Sequence, residues 1–341
     1  MNLRIEKLDL PLKEKFKISH SEFESIKQLL VIIEDKEIMA YGEIIPVEFF
    51  NEPYTKAYEQ AVKVVADYGK VCSKIQTVSD IRSLVKKLSE RGYFNCIICG
   101  FEMAMLDYLG KVNRKMLWEL LDLLEPQKRR TPFTMPIMDD LSWKDKISAE
   151  ATLIKIKLGG EMDRDYLEYV KQNKNRVFFL DVNQGWTLEK LREYREYLNL
   201  DNVLMLEEPV KLKEKSELAE VKKLLTNTPL FLDESVKSGA SAADFADYID
   251  GVNIKVTKFG GLLQSLEAAK FLKEKNLKLM LGCFLESSLS IAYAYSISSL
   301  FDFIDLDGAT FIKTEPFMGI GIHNGEIEMD YRGYGIGVVY E

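Results

Sequence analysis

Between residues 151 and 210 the chain reads ATLIKIKLGGEMDRDYLEYVKQNKNRVFFLDVNQGWTLEKLREYREYLNLDNVLMLEEPV. Three short apolar runs, LIKIK, VFFLD and VLMLE, each end on a charged residue, and charged segments of helical spacing separate them. Such runs are too short for helices and fit buried strands. The same texture extends on both sides of this stretch. It begins near Arg130 with TPFTMPIM (131–138) and continues through PLFLDES (229–235), GVNIKVTKFGG (251–261), LKLMLGCF (277–284) and FIDLDG (303–308). Helix-periodic segments such as Glu189–Leu198 and Leu262–Lys275 lie between runs. Eight strand-like runs at roughly 25-residue intervals predict an α/β fold, a modified (β/α) TIM barrel.

Upstream the pattern differs. Leu29–Glu34 and Ile38–Ile45 read as strands, and Lys56–Val71, Ser79–Arg91 and Asn95–Leu109 as helices. This predicts an α+β capping domain over residues 1–115 and the (β/α) barrel over 116–317. The Gly-rich tail 318–341 lacks a helical period and is expected to return and complete the cap.

A net charge of −8 over 341 residues argues against a nucleic-acid partner, which needs a basic face. No apolar run is long enough to span a bilayer, and MNLRIEKLDL carries no signal-peptide core, so a cytoplasmic protein without a membrane partner is expected. Four cysteines in a chain of this length make no disulfide framework. Cys96 and Cys99 fall in a helix-periodic apolar segment and read as buried helix cysteines. The sequence leaves room for a homo-oligomer.

Catalytic groups of such barrels sit at the C-terminal ends of the strands. Here the strand runs end in Lys155 and Lys157, then Asp181, Glu207, Asp233 and Lys255, then Asp305 and Asp307. A single strand-end acid also serves to cap a helix or pair with a loop lysine. Three in register on successive strands would repel one another, and they become sensible around a hard divalent cation such as Mg²⁺. Lys155 and Lys157 are two apart on one strand and share a face. Two adjacent ammoniums disfavour each other's charge, so Lys157, nearer the strand end, is the expected base and Lys155 the residue that lowers its pKa. Lys255 lies four strands round the ring. A substrate between the two lysines is open to proton removal on one face and return on the other.

Together these residues resemble the enolase superfamily, in its muconate-lactonising subgroup. The resemblance runs over YGEIIP (41–46), EMAMLDYLGK (102–111), IKIKLGG, DVNQGW, EEP, DES and NIKVTKFGG. It implies Asp181, Glu207 and Asp233 as Mg²⁺ ligands, with Glu208 supporting them, and Lys157 and Lys255 as the acid/base pair. Lys258 falls on the opposite pleat face and beyond the strand end, and is set aside as an acid/base. The seventh strand supplies no His, which disfavours sugar-acid dehydration. FIDLDG places Asp305 and Asp307 two apart at the mouth, resembling dipeptide epimerases whose paired acids hold the substrate's ammonium. The implied reaction is epimerisation of the C-terminal residue of an L,L-dipeptide, a small-molecule substrate.

In the N-terminal loop, FKISHSEFES (16–25) holds His20 and Ser21 where relatives that prefer an acidic side chain resemble one another in using an Arg. Its acids Glu22 and Glu24 raise the expectation of a cationic side chain. VEFFNEPY (47–54) is expected to add apolar contacts or close a lid. Two other readings stand beside this one: an o-succinylbenzoate synthase or N-succinylamino-acid racemase, and a non-catalytic barrel that binds a metal or small anion.

Overall fold

The computed structural model describes residues 1–148, 150–212 and 215–341. At the N-terminus β1 (Asn2–Ile18) and β2 (Ser21–Asp35) form a long antiparallel hairpin, with β3 (Ile38–Ile44) on the far side of β2. Leu29–Ile33 is wholly buried in this middle strand, which is why it reads as a continuous apolar run instead of an alternation. Helices α1 (Tyr54–Cys72), α2 (Val78–Glu90) and α3 (Asn95–Asn113) follow where the apolar period predicted them. Apolar almost all round, α3 is buried almost all round. It meets β3 at a glycine contact. A Cβ on Gly42 would lie 2.0 Å from the Gly100 carbonyl oxygen, so only the bare backbone allows this approach. Cys96 and Cys99 are buried in α3, and burial pushes both thiols up.

All eight apolar runs form strands: β4 (Phe133–Met135), β5 (Leu153–Lys157), β6 (Val177–Asp181), β7 (Val203–Glu207), β8 (Leu230–Leu232), β9 (Gly251–Lys255), β10 (Lys278–Gly282) and β11 (Phe303–Asp305). They pair in chain order into one curled parallel sheet. Side chains link its first and last strands: Leu306 N donates to Thr131 Oγ1 at 2.9 Å and Thr134 N to Asp307 Oδ2 at 2.8 Å. Period-two alternation then sorts the interior into layers. Phe179, Met205, Phe231 and Met280 form a separate apolar cluster. The residues two further along each strand, Asp181, Glu207, Asp233 and Gly282, make the layer above it. Register keeps that layer level, pairing Lys157 with Asp181, Asp181 with Glu207, and Gly282 with both Lys255 and Asp305.

Beyond the barrel, Ile320–His323 and Glu326–Met329 extend a small sheet with Arg129–Arg130, and Phe317–Met318 pairs with Val339–Tyr340. The tail also touches the N-terminal elements. Tyr340 stacks on Tyr41 at 5.5 Å, and Ile336 N donates to Asp107 Oδ1 at 3.0 Å. Among the described residues no helix is long and apolar enough to cross a membrane.

Three further helices matter to the site: α4 (Asp163–Gln172), α5 (Leu262–Glu274) and α6 (Ser288–Tyr295). Glu102 reaches from α3 to the start of α5, where it accepts from Leu262 N, Leu263 N and the Tyr293 hydroxyl. Burial outweighs these bonds and pushes its carboxyl up to about 7. The folded state therefore holds a proton that the unfolded chain releases near the ordinary carboxyl range. This stability contribution is fully present at acid pH and is lost as pH rises towards about 7. Glu102→Gln should remove that slope. Denaturant titrations from pH 5 to 8 are expected to show the variant gaining up to about 3 kcal/mol relative to wild type across the range. A constant difference at every pH would show that Glu102 does not titrate between the two states.

Candidate active site

The strand-end layer opens into a cleft of about 450 Å³ between the barrel mouth and the N-terminal hairpin. Lys155, Lys157, Asp233, Lys255, Asp305 and Asp307 all line it, as do His20 and Ser21. Asp181 and Glu207 are completely buried behind the lysines.

Lys155 is the hub of the floor. Its ammonium lies 2.6 Å from Asp305 Oδ2, 2.8 Å from Glu207 Oε2 and 2.9 Å from Asp181 Oδ2. Burial alone would lower its pKa, but these three carboxylates raise it well above the ordinary lysine range. Of the two neighbouring lysines, Lys155 is thus held charged. The expected mutual suppression of charge does not operate on it, because three buried acids outweigh one nearby cation.

Lys157 donates to Asp181 Oδ2 at 2.6 Å. Across the cleft Lys255 lies 2.8 Å from Asp233 Oδ2 and 4.5 Å from the centre of the Phe284 ring. Desolvation works to lower Lys255, and Asp233 and Glu234 more than offset it, so its pKa is raised. Asp181 and Asp233 would both be raised by burial, but their lysine neighbours hold them well below the usual carboxylate range. Glu207 goes the other way: burial and Asp181 push it up to about 7.

Lys258 is the clearest correction to the sequence reading. The strand ends at Lys255 and residues 256–260 turn, so pleat alternation no longer governs where Lys258 points. Its buried ammonium donates to Asp233 Oδ1 at 2.6 Å, to the Asp233 carbonyl at 2.7 Å and to the Asn253 carbonyl at 2.9 Å. Asn253 in turn donates to Glu207 Oε1 at 2.7 Å. Alternation would have found Asn253, which stands two residues before Lys255 and shares its face.

Glu208 sits at φ +41, outside the strand conformation. Its carboxylate accepts from Asp233 N and Gln184 Nε2, both at 2.8 Å, and from Ser235 Oγ. This fixes the loops after β6, β7 and β8 to one another. Asp163 on α4 does the same for the loops after β5 and β6. It accepts from Gly159 N and Gly160 N at 2.9 Å and from Trp186 Nε1 at 2.6 Å. Nothing in the local sequence marks Asp163 as such a tie.

Asp307 bonds through both oxygens to Thr134, which donates from N at 2.8 Å and from Oγ1 at 3.1 Å. Burial and Asp305 push its carboxyl up to about 7. The hairpin closes over the floor. Ser19 Oγ donates to the Asn183 carbonyl at 2.6 Å, Ile137 N to the Lys17 carbonyl at 2.9 Å, and Gln28 Nε2 to the Leu285 carbonyl at 2.9 Å. His20 Nδ1 lies 2.9 Å from Ser21 Oγ, and the His20 ring stacks on Phe49 at 4.5 Å. Desolvation and the nearby Lys157 charge lower the His20 pKa. Glu22 and Glu24 are absent from the cleft lining and pair with Lys15, at 2.9 and 3.5 Å.

The donor set fits a hard divalent cation. Glu207 Oε2 and Asp233 Oδ2 are buried and accept no hydrogen bond, and each faces only an ammonium. Buried carboxylate oxygens from three successive strands are the ligands Mg²⁺ takes. Among the described residues no three acidic, histidine or cysteine groups form a ready-made metal cage; each acid leans on a lysine instead.

Residues 143–338 match the protein family described as Enolase C-terminal domain-like, and the chain belongs to that family. Similar proteins include a hydrophobic dipeptide epimerase of Roseobacter litoralis, 28% identical over 98% of both chains. An L-Ala-D/L-Glu epimerase of Bacteroides thetaiotaomicron is 26% identical over 96% of this chain and 85% of its own. The fold is shared with a dipeptide epimerase from Cytophaga hutchinsonii, whose crystal structure contains Mg and D-Ala-L-Val. The TM-score is 0.85 at 23% identity, over 99% of this chain and 95% of that one.

Proposed function

We propose that this chain is a Mg²⁺-dependent dipeptide epimerase that moves a proton at the α-carbon of the C-terminal residue of an L,L-dipeptide. The observation that carries the reading is the arrangement of one cleft: Lys157 and Lys255 on different strands, three buried acids between them, and Asp305 and Asp307 at one side. Asp181, Glu207 and Asp233 would hold the ion, which would supply Lewis-acid compensation for the charge that builds on a substrate carboxylate when its α-proton leaves.

One lysine removes the proton from one face and the other returns it on the opposite face. Lys155, permanently charged, ties Asp305 to Asp181 and Glu207 and adds a fixed cation beside the developing charge. Asp305 receives the substrate's ammonium. Asp307, pinned through both oxygens by Thr134, sets the position of the loop that carries it beside the same subsite. In this reading the hairpin β1–β2 and the turn at 48–50 act as the cap that keeps water out.

The test is deuterium uptake from D₂O into a library of L,L-dipeptides with Mg²⁺, read by mass spectrometry. One deuterium per accepted dipeptide is expected. Acetylating the dipeptide's amine should lower exchange by about 100-fold, since the carboxylates would then face no cation. Exchange in N-succinylated amino acids, with none in free-amine dipeptides, would establish the racemase reading in its place.

A further inference from the structure

The cleft has a floor and two walls of different chemistry. On the floor, the acids and lysines face one another. The walls are aromatic. Phe16 and Phe311 meet edge to face at 4.8 Å, with Phe23 beside them in the same apolar cluster. A second, continuous series of rings lines the same cleft: His20 on Phe49 at 4.5 Å, Phe49 on Phe50 at 5.3 Å, and Phe50 on Phe284 at 6.2 Å. Phe284 carries the Lys255 ammonium on its face. The second ring series therefore leads from the cap to one of the two proposed acid/base lysines.

Charge is sparse beside the rings. Lys27 and Glu48 line the cleft at its exposed edge, and Lys237 lies 4.6 Å from the centre of the Phe50 ring. Glu234 has an oxygen without a partner, but that oxygen is itself buried and its fellow is held by Asn183. The acids of the hairpin, Glu22 and Glu24, pair with Lys15 away from the cleft. A charged substrate side chain placed against the rings would lose water there without a charged partner among them. An apolar one would be buried against rings.

We propose that the cleft selects dipeptides with large apolar side chains, with Phe49 and Phe284 setting the choice on one wall and Phe16 and Phe311 on the other. This rests on the dipeptide reading above. It replaces the cationic preference raised by Glu22 and Glu24. The names of the relatives do not decide the matter, since one is called hydrophobic and another Glu-specific.

The experiment compares kcat/KM for dipeptides built from Leu and Phe with those carrying Glu, Asp, Lys or Arg, and with L-Ala-L-Ala. The apolar set is expected to lead every charged set by about 100-fold or more, and L-Ala-L-Ala by about 10-fold. Phe49 is 40% exposed on a surface turn, so its substitutions leave the core untouched. Phe49→Ala should raise KM for the apolar dipeptides by about 10-fold with kcat and Tm unchanged. Phe49→Arg should shift relative preference towards a Glu side chain. Faster turnover of any charged set, or an unchanged KM in Phe49→Ala, would overturn the proposal while leaving the epimerase reading intact. Silence with all dipeptides alike would overturn both.

Discussion

Lys157→Ala is expected to abolish epimerisation while one epimer of the substrate still exchanges its α-proton, and Lys255→Ala to show the reciprocal pattern. Loss of general acid/base catalysis typically costs 10²- to 10⁴-fold, and about 10³-fold is the expected effect on the blocked face. Both variants should remain folded, for a reason the ion pairs give. Removing Lys157 leaves Asp181 2.9 Å from Lys155, and removing Lys255 leaves Asp233 bonded to Lys258 at 2.6 Å. Neither deletion strands a buried carboxylate without a cation, the usual source of a large stability loss. The measurement is deuterium exchange on each purified epimer, with Tm recorded beside it. Equal loss of exchange from both epimers in both variants would contradict a two-faced site and point to a single base. Full epimerisation by either variant would remove that lysine from the chemistry.

What the sequence disclosed, and what it withheld, follows from the range over which each rule acts. The barrel was legible because its strands are short buried runs, and their order in the sheet is their order in the chain. The floor was legible because alternation places residues two apart on one face, so spacing alone sets Lys155 and Lys157 beside Asp181 and Glu207. Alternation stops where the strand stops. Lys258, three residues past the end of β9, was misplaced for that reason. Thr134 is bound to Asp307 across 173 residues, and Asp163 to Trp186 between loops, and no local period reports such contacts. The aromatic walls were hidden in the same way. Phe16, Phe49, Phe284 and Phe311 come from four separate segments and line one cleft only because the N-terminal hairpin lies over the barrel mouth.

Lys258→Met is expected to combine a stability loss of about 3 kcal/mol or more with a weakened response to Mg²⁺. Lys258 is 3% exposed, and its ammonium serves three oxygens, two of them backbone carbonyls. Methionine nearly matches the length of the stem and offers none of these bonds. The Asn253 carbonyl loses this donor, the Asp233 carbonyl keeps only Val236 N at 3.1 Å, and the Asp233 carboxylate keeps only Lys255 as a cation, at 2.8 Å. As the orientation of Asp233 is no longer fixed from behind, the Mg²⁺ concentration for half-maximal activity should rise by about 10- to 100-fold. Part of the stability loss comes from the carboxylate's charge and part from the carbonyls, and a double-mutant cycle separates them. Asp233→Asn placed on Lys258→Met should recover stability, because the amide no longer needs a buried cation, while the activity left in Lys258→Met is lost with the ligand. Unfolding in denaturant and Mg²⁺ titration of activity read the two effects independently. If Lys258→Met unfolds with wild-type stability and saturates at the wild-type Mg²⁺ concentration, Lys258 does not position Asp233. The three-oxygen contact would then be a packing feature of the strand end.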